Sequence, residues 1–193
     1  MAVLSAGIGH NRGPSLDAGY SYRLGLWRKA RKELMPTTLP IEVIRNRVRR
    51  AKEIGLPYKT YASIRASSGR DVVGFLFSDN ALRVRRGYLR MAHDRFEKLS
   101  AVSRCSLGAA VHEPTEPSKV ADLNPLLSFV GQAPGLAASW SDAALILNDI
   151  VGRTGLPSDG LVVVGETTLE REWCAALKAA FYLPAHRYFD PTA

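Results

Sequence analysis

The sequence predicts an α/β or α+β fold in which a helical, basic N-terminal half adjoins a small, mainly buried sheet flanked by helices. Three observations carry this expectation. Residues 71–77 (Asp-Val-Val-Gly-Phe-Leu-Phe) and 161–165 (Leu-Val-Val-Val-Gly) are β-rich apolar runs of strand length. Each run is followed at once by residues suited to start a helix, Ser78-Asp79-Asn80 and Thr167-Thr168. Apolar residues make up 46% of the 193, enough to bury a core.

Taken in order, residues 1–22 mix glycines, Pro14 and serines without apolar periodicity, the composition of an arm with no fold of its own. From Leu24 to Met35, Leu26, Ala30 and Leu34 recur every four residues among Arg28, Lys29, Arg31 and Lys32, which predicts a basic amphipathic helix ending before Pro36. Pro40 opens the next helix, whose Ile41, Ile44, Val48 and Ala51 keep the helical period until Gly55 stops it. A third helix runs from Pro57 to about Ala66, with Tyr61, Ala62 and Ile64 inward. Ser68-Gly69 breaks the pattern before the first strand, a run apolar enough to be buried on both faces. Leu89, Ala92, Phe96, Leu99 and Val102 then share one helical face.

Residues 112–118, with two prolines and two acids, have the composition of a linker. On this basis the chain divides into an arm (1–22), a basic helical and strand region (23–110) and an α/β region (120–193), the last two also being compatible with one continuous domain. Residues 140–151 read as a helix capped by Ser141 and stopped by Gly152. Thr167-Thr-Leu-Glu170 has capping-box spacing, and Leu169, Trp173, Ala176, Leu177, Ala180 and Phe181 form the stripe of a final helix ending before Pro184.

Charge is distributed unevenly. The total is +8, yet residues 1–100 carry 20 basic and 8 acidic side chains while residues 101–193 carry 6 and 10. The excess of +12 in the first half points to an acidic partner, with nucleic acid foremost and an acidic protein as the other choice. Trp27, Tyr58, Tyr61 and Tyr88 lie among the arginines, where aromatic rings serve either the core or base stacking. No stretch reaches the length of a membrane-spanning helix and no signal-peptide pattern opens the chain, so a cytoplasmic protein is expected. Two cysteines, Cys105 and Cys174, are too few for a disulfide framework and read as small buried apolar residues.

Ile8-Gly9-His10-Asn11-Arg12-Gly13-Pro14 resembles the opening of a group of uncharacterised alphaproteobacterial proteins, which implies a bacterial origin and no particular activity. Residues 47–66 resemble the helix-turn-helix of phage repressor and Cro-type DNA-binding proteins. Ala51 stands where two helices cross, Gly55 in the turn, and Ile54, Leu56, Tyr61 and Ile64 face inward. Two departures are Arg50, at a position usually apolar, and the β-type run that follows. The resemblance implies that Tyr58, Lys59, Ser63, Ala62 and Arg65 lie on the helix entering the major groove, while Arg45, Arg49 and Arg50 meet phosphates.

A second constellation lies at the strand ends. If both strands share a parallel sheet, their carboxyl ends bring Ser78, Asp79 and Asn80 to the same edge as Glu166, Thr167 and Thr168. Carboxylates and hydroxyls there can hold a ligand, a metal or a catalytic water, and the same residues also serve as helix caps. No glycine-rich nucleotide loop, phosphate-loop lysine or nucleophile elbow is present, so the sequence names no catalytic residue, metal or cofactor. His10, His93, His112 and His186 show no shared metal-ligand spacing. Three functions remain open on these grounds: a DNA-associated or regulatory protein whose second half provides core, ligand sensing or a homodimer contact; a small α/β enzyme or ligand-binding protein using Asp79 and Glu166; and a protein-interaction module.

Overall fold

The computed structural model describes residues 39–190. The expected arm and the helix at 24–35 lie outside them. The chain divides into two units, Met1–Ile44 and Arg45–Ala193, and the described residues belong to the second apart from residues 39–44. Eight helices and five strands follow one another: α1 (Ile41–Glu53), α2 (Tyr58–Ser68), β1 (Gly74–Ser78), α3 (Asp79–Leu82), α4 (His93–Ser100), β2 (Ser106–Val111), α5 (Pro117–Leu123), β3 (Phe129–Gln132), α6 (Trp140–Gly152), β4 (Leu161–Gly165), α7 (Thr168–Leu177), β5 (Phe181–Pro184) and α8 (Ala185–Phe189). No helix among the described residues is long and apolar enough to cross a membrane.

All five strands are parallel, in the order β3-β2-β1-β4-β5. The protein therefore has an α/β fold with helices covering both faces of one sheet. Pleating explains why β1 and β4 read as unbroken apolar runs. Phe75, Phe77, Val162 and Val164 project to one face, where they join Tyr61, Ile64, Leu99, Tyr188 and Phe189. Leu76, Leu161 and Val163 project to the other, against Leu147, Ile150, Trp173 and Leu177 of α6 and α7. The first face is held by an aromatic group in which Tyr188 meets Phe75 at 5.1 Å, Phe77 at 5.7 Å and Phe189 at 4.9 Å between ring centres.

Three strands were not expected from the sequence. In β2, Ser-Leu-Gly-Ala-Ala-Val, the small residues accommodate neighbours: a Cβ on Gly108 would lie 2.0 Å from the Phe129 ring of β3. β3 and β5 are four-residue edge strands. The helix expected to be the last, α7, also differs and is followed by α8. Lys178 takes φ +53°, its N–H and that of Ala179 close the last turn on Ala175 and Cys174, and Ala180 N–H then bonds Leu161 O, so Ala180 and Phe181 leave the helical stripe for the sheet. The helical face at 89–102 contracts to His93–Ser100. Residues 112–118 connect β2 to α5, with strands of a single sheet on either side of them.

β1 and β4 lie side by side, and the strands that follow them run outward in opposite directions, to β2 on one side and β5 on the other. The connections leaving their carboxyl ends therefore part, and the crevice opened there is where α/β sheets bind ligands.

Candidate functional site

At that crevice β1 delivers Ser78, Asp79 and Asn80. Ser78 is the N-cap of α3, its Oγ accepting from Ala81 N–H at 3.1 Å. Asp79, at the first position of α3, is 7% exposed. His112 is the first residue past β2 and meets Asp79 twice: its backbone N–H donates to Asp79 Oδ2 at 3.1 Å, and its Nδ1 lies 2.6 Å from Asp79 Oδ1. Glu170 comes from the first turn of α7 and is fully buried.

Glu170 explains both its own burial and the shape of the loop after β4. Its Oε2 accepts from Glu166 N–H at 2.6 Å and Thr167 N–H at 2.9 Å, while Thr167 Oγ1 accepts from Glu170 N–H at 3.2 Å, completing the capping box. Its Oε1 accepts from Asn80 Nδ2 at 2.7 Å, which ties α7 to the end of β1. Gly165 lets the carboxylate sit this close, since a Cβ there would lie 2.8 Å from both Glu170 Cβ and Oε2. Three donor atoms, one each from Asp79, His112 and Glu170, fall within 4.8 Å of one another.

The electrostatics follow from this packing. Two buried carboxylates face one imidazole, and the hydrogen bond to Asp79 raises the His112 pKa against the opposing effect of burial, with the Asp79 and Glu170 charges adding to the rise. The Asp79 bond occupies Nδ1 and places the remaining exchangeable position at Nε2, which has no hydrogen-bond partner among the described residues. Trp173 packs on the imidazole at 5.5 Å between ring centres. A carboxylate that fixes one imidazole nitrogen and leaves the other open is the arrangement used for proton transfer. The same three side chains are of a type that binds a divalent cation, each offering one donor atom.

Of the residues expected at this edge, the structure brings Asp79 and Asn80 into the group and leaves Ser78 and Thr167 as caps. Glu166 is exposed and contributes its backbone N–H. His112 and Glu170 were not expected. The signal for Glu170 was present in the capping box, and His112 would have followed from recognising residues 106–111 as a strand.

The basic helical pair is a separate place on the molecule. Gly55 takes φ +68°, Leu56 N–H bonds Ala51 O at 2.9 Å, and Ala51, Ile54, Leu56, Tyr61 and Ile64 are all buried. Arg50, expected on phosphates, instead points its guanidinium at the protein: Nε donates to Asp71 Oδ2 at 3.1 Å, Nη1 to Glu53 at 3.2 Å, and Nη2 to Val72 O and Arg104 O at 2.8 and 3.0 Å. Arg65 lies 3.7 Å from Asp71 and 3.3 Å from the Tyr61 hydroxyl. Arg45, Arg49, Lys59 and Ser63 are exposed and Tyr58 half-buried, with Arg49 also bonded to Asn46 at 3.1 Å.

No family model, curated protein or solved structure matches the chain.

Proposed function

We propose that the protein is a small α/β enzyme whose site is the crevice at the carboxyl ends of β1, β2 and β4. His112 exchanges a proton with a bound ligand at Nε2, Asp79 holds the imidazole in the Nδ1–H form, and buried Glu170 fixes the neighbouring loop and contributes negative charge. The observation that carries this reading is the Asp79–His112 pair, 2.6 Å apart, at the point where the sheet's connections diverge. The proposed setting is the bacterial cytoplasm, which suits two unpaired cysteines.

The test is a panel of phosphoester, carboxylic ester, amide and glycoside substrates, with and without Mg²⁺ or Mn²⁺. Turnover by the natural chain should fall about 10²- to 10⁴-fold in His112→Gln, the range set by loss of a general acid or base. Absence of turnover, together with no ligand that shifts the His112 resonances, would contradict the reading.

A second reading, DNA binding by α1 and α2, is favoured by the turn at Gly55 and the exposed Lys59 and Ser63 beyond it. Here Lys59→Ala and Ser63→Ala should change sequence preference in a duplex titration, and Arg49→Ala should weaken all duplexes alike. Equal affinity in all three variants would remove this reading.

A further inference from the structure

Immediately after α3 the chain reverses through residues 83–90, Arg-Val-Arg-Arg-Gly-Tyr-Leu-Arg, which carry four arginines and no acid. Arg85 and Tyr88 exchange backbone hydrogen bonds at 3.0 and 2.8 Å, and Gly87 takes φ +84° at the turn. The hairpin is anchored at its base. Leu82 and Val84 are buried, Ala92 N–H bonds Leu82 O, and the buried Asn124 side chain accepts from Met91 N–H and donates to Leu89 O. A rigid base therefore presents an exposed basic tip.

Only Arg83 has an acidic partner, Asp94 at 3.5 Å, whereas Arg85, Arg86 and Arg90 are exposed and pair with no acid among the described residues. Tyr88 stands at the tip with 77% of its surface exposed. It borders an open groove lined by Arg90, His93, Phe96, Asp122 and Asn124, in which the Phe96 ring is 41% exposed. Arg50 and Arg65 in the helical pair are engaged by Asp71.

We propose that residues 83–90 bind single-stranded nucleic acid, with Arg85, Arg86 and Arg90 on successive phosphates and an unpaired base stacked on Tyr88 at the mouth of the Phe96 groove. Charge complementarity selects a polyanion, and the guanidinium fork suits phosphate oxygens. Exposed aromatic rings set among arginines select a polyanion with flat faces to stack, which an acidic peptide lacks and a duplex keeps within its own stack. The hairpin contact is independent of proton transfer at His112. It also moves the nucleic-acid contact away from α1 and α2.

The experiment is fluorescence anisotropy of the full chain with labelled 12-nucleotide DNA and RNA strands, the matching duplex, and unlabelled heparin or anionic vesicles as competitors, at 50 and 200 mM salt. Circular dichroism melts check that the surface variants stay folded. Single strands should bind more tightly than duplex. Tyr88→Ala should weaken them roughly 5- to 150-fold and Tyr88→Trp should restore binding. Arg85→Glu with Arg86→Glu should abolish binding at 200 mM salt, while Lys59→Ala leaves it unchanged. The proposal is overturned if single strands do not bind, if binding survives the double charge reversal, or if heparin and vesicles compete and Tyr88→Ala has no effect. Preference for duplex with loss of binding in Lys59→Ala would return the contact to the helical pair.

Discussion

Replacing Asp79 by Asn removes the charge on which the candidate site depends. The substitution keeps size but leaves one carbonyl oxygen where Asn80 N–H bonds Oδ1 and the His112 backbone N–H bonds Oδ2. One of these N–H groups therefore loses its acceptor together with the charge facing the imidazole, and only the charge-dependent part of the loss varies with pH. Only 10% of the Asp79 side chain and 24% of the His112 side chain are exposed, so solvent screens the pair weakly. A hydrogen bond between charged groups of this kind contributes about 1.5–3 kcal/mol. The His112 pKa is raised on folding by the Asp79 hydrogen bond, so its share of stability is fully present below the unfolded value near 6.5 and disappears as pH rises through the folded value. In urea unfolding at pH 5.5, Asp79→Asn should lose about 1.5–3 kcal/mol, a midpoint shift of roughly 1 M for a typical slope of about 2 kcal/mol per M. At pH 9 the loss should shrink. A deficit equal at both pH values, or larger at pH 9, would refute the ion pair.

Three further outcomes follow from the packing. Arg50→Ala removes four hydrogen bonds to Asp71, Glu53, Val72 and Arg104, and should lower stability by about 2–4 kcal/mol in the same urea assay; a loss below about 0.5 kcal/mol would mean the guanidinium is solvated rather than spent on the fold. Gly108→Ala drives a methyl into the Phe129 ring and should cost about 1–3 kcal/mol, recovered in part by Phe129→Leu; an unchanged thermal midpoint would show that β3 yields freely. Burial pushes the Cys105 thiol up to about 12, so at pH 8 a disulfide reagent should label Cys105 far more slowly in the folded protein than in urea, and equal rates would contradict its placement.

How much of this was readable beforehand depended on local signal strength. β1 and β4 are made of Phe, Leu and Val, and α7 opens on a complete capping box, so each declares itself. β2 is hidden because Gly108, Ala109 and Ala110 have low strand propensity, and their smallness makes sense only once Phe129 is seen packed on Gly108. Missing β2 concealed His112, which has no visible place until a strand end puts it beside Asp79. Asp79 and Asn80 were found because a strong strand precedes them, whereas Glu166 was expected in the crevice and its exposed side chain instead leaves that role to Glu170, four residues on. Period alone extended the last helix to Phe181, because no apolar pattern reports the left-handed turn at Lys178.

The most direct measurement is the ¹⁵N spectrum of the His112 imidazole as a function of pH in the natural chain and in Asp79→Asn. Nδ1 should keep its proton throughout, Nε2 alone should titrate, and its midpoint should lie above that of an unperturbed histidine and fall in Asp79→Asn. A neutral form protonated at Nε2, or a midpoint indifferent to Asp79, would contradict a proton-transfer site at the crevice.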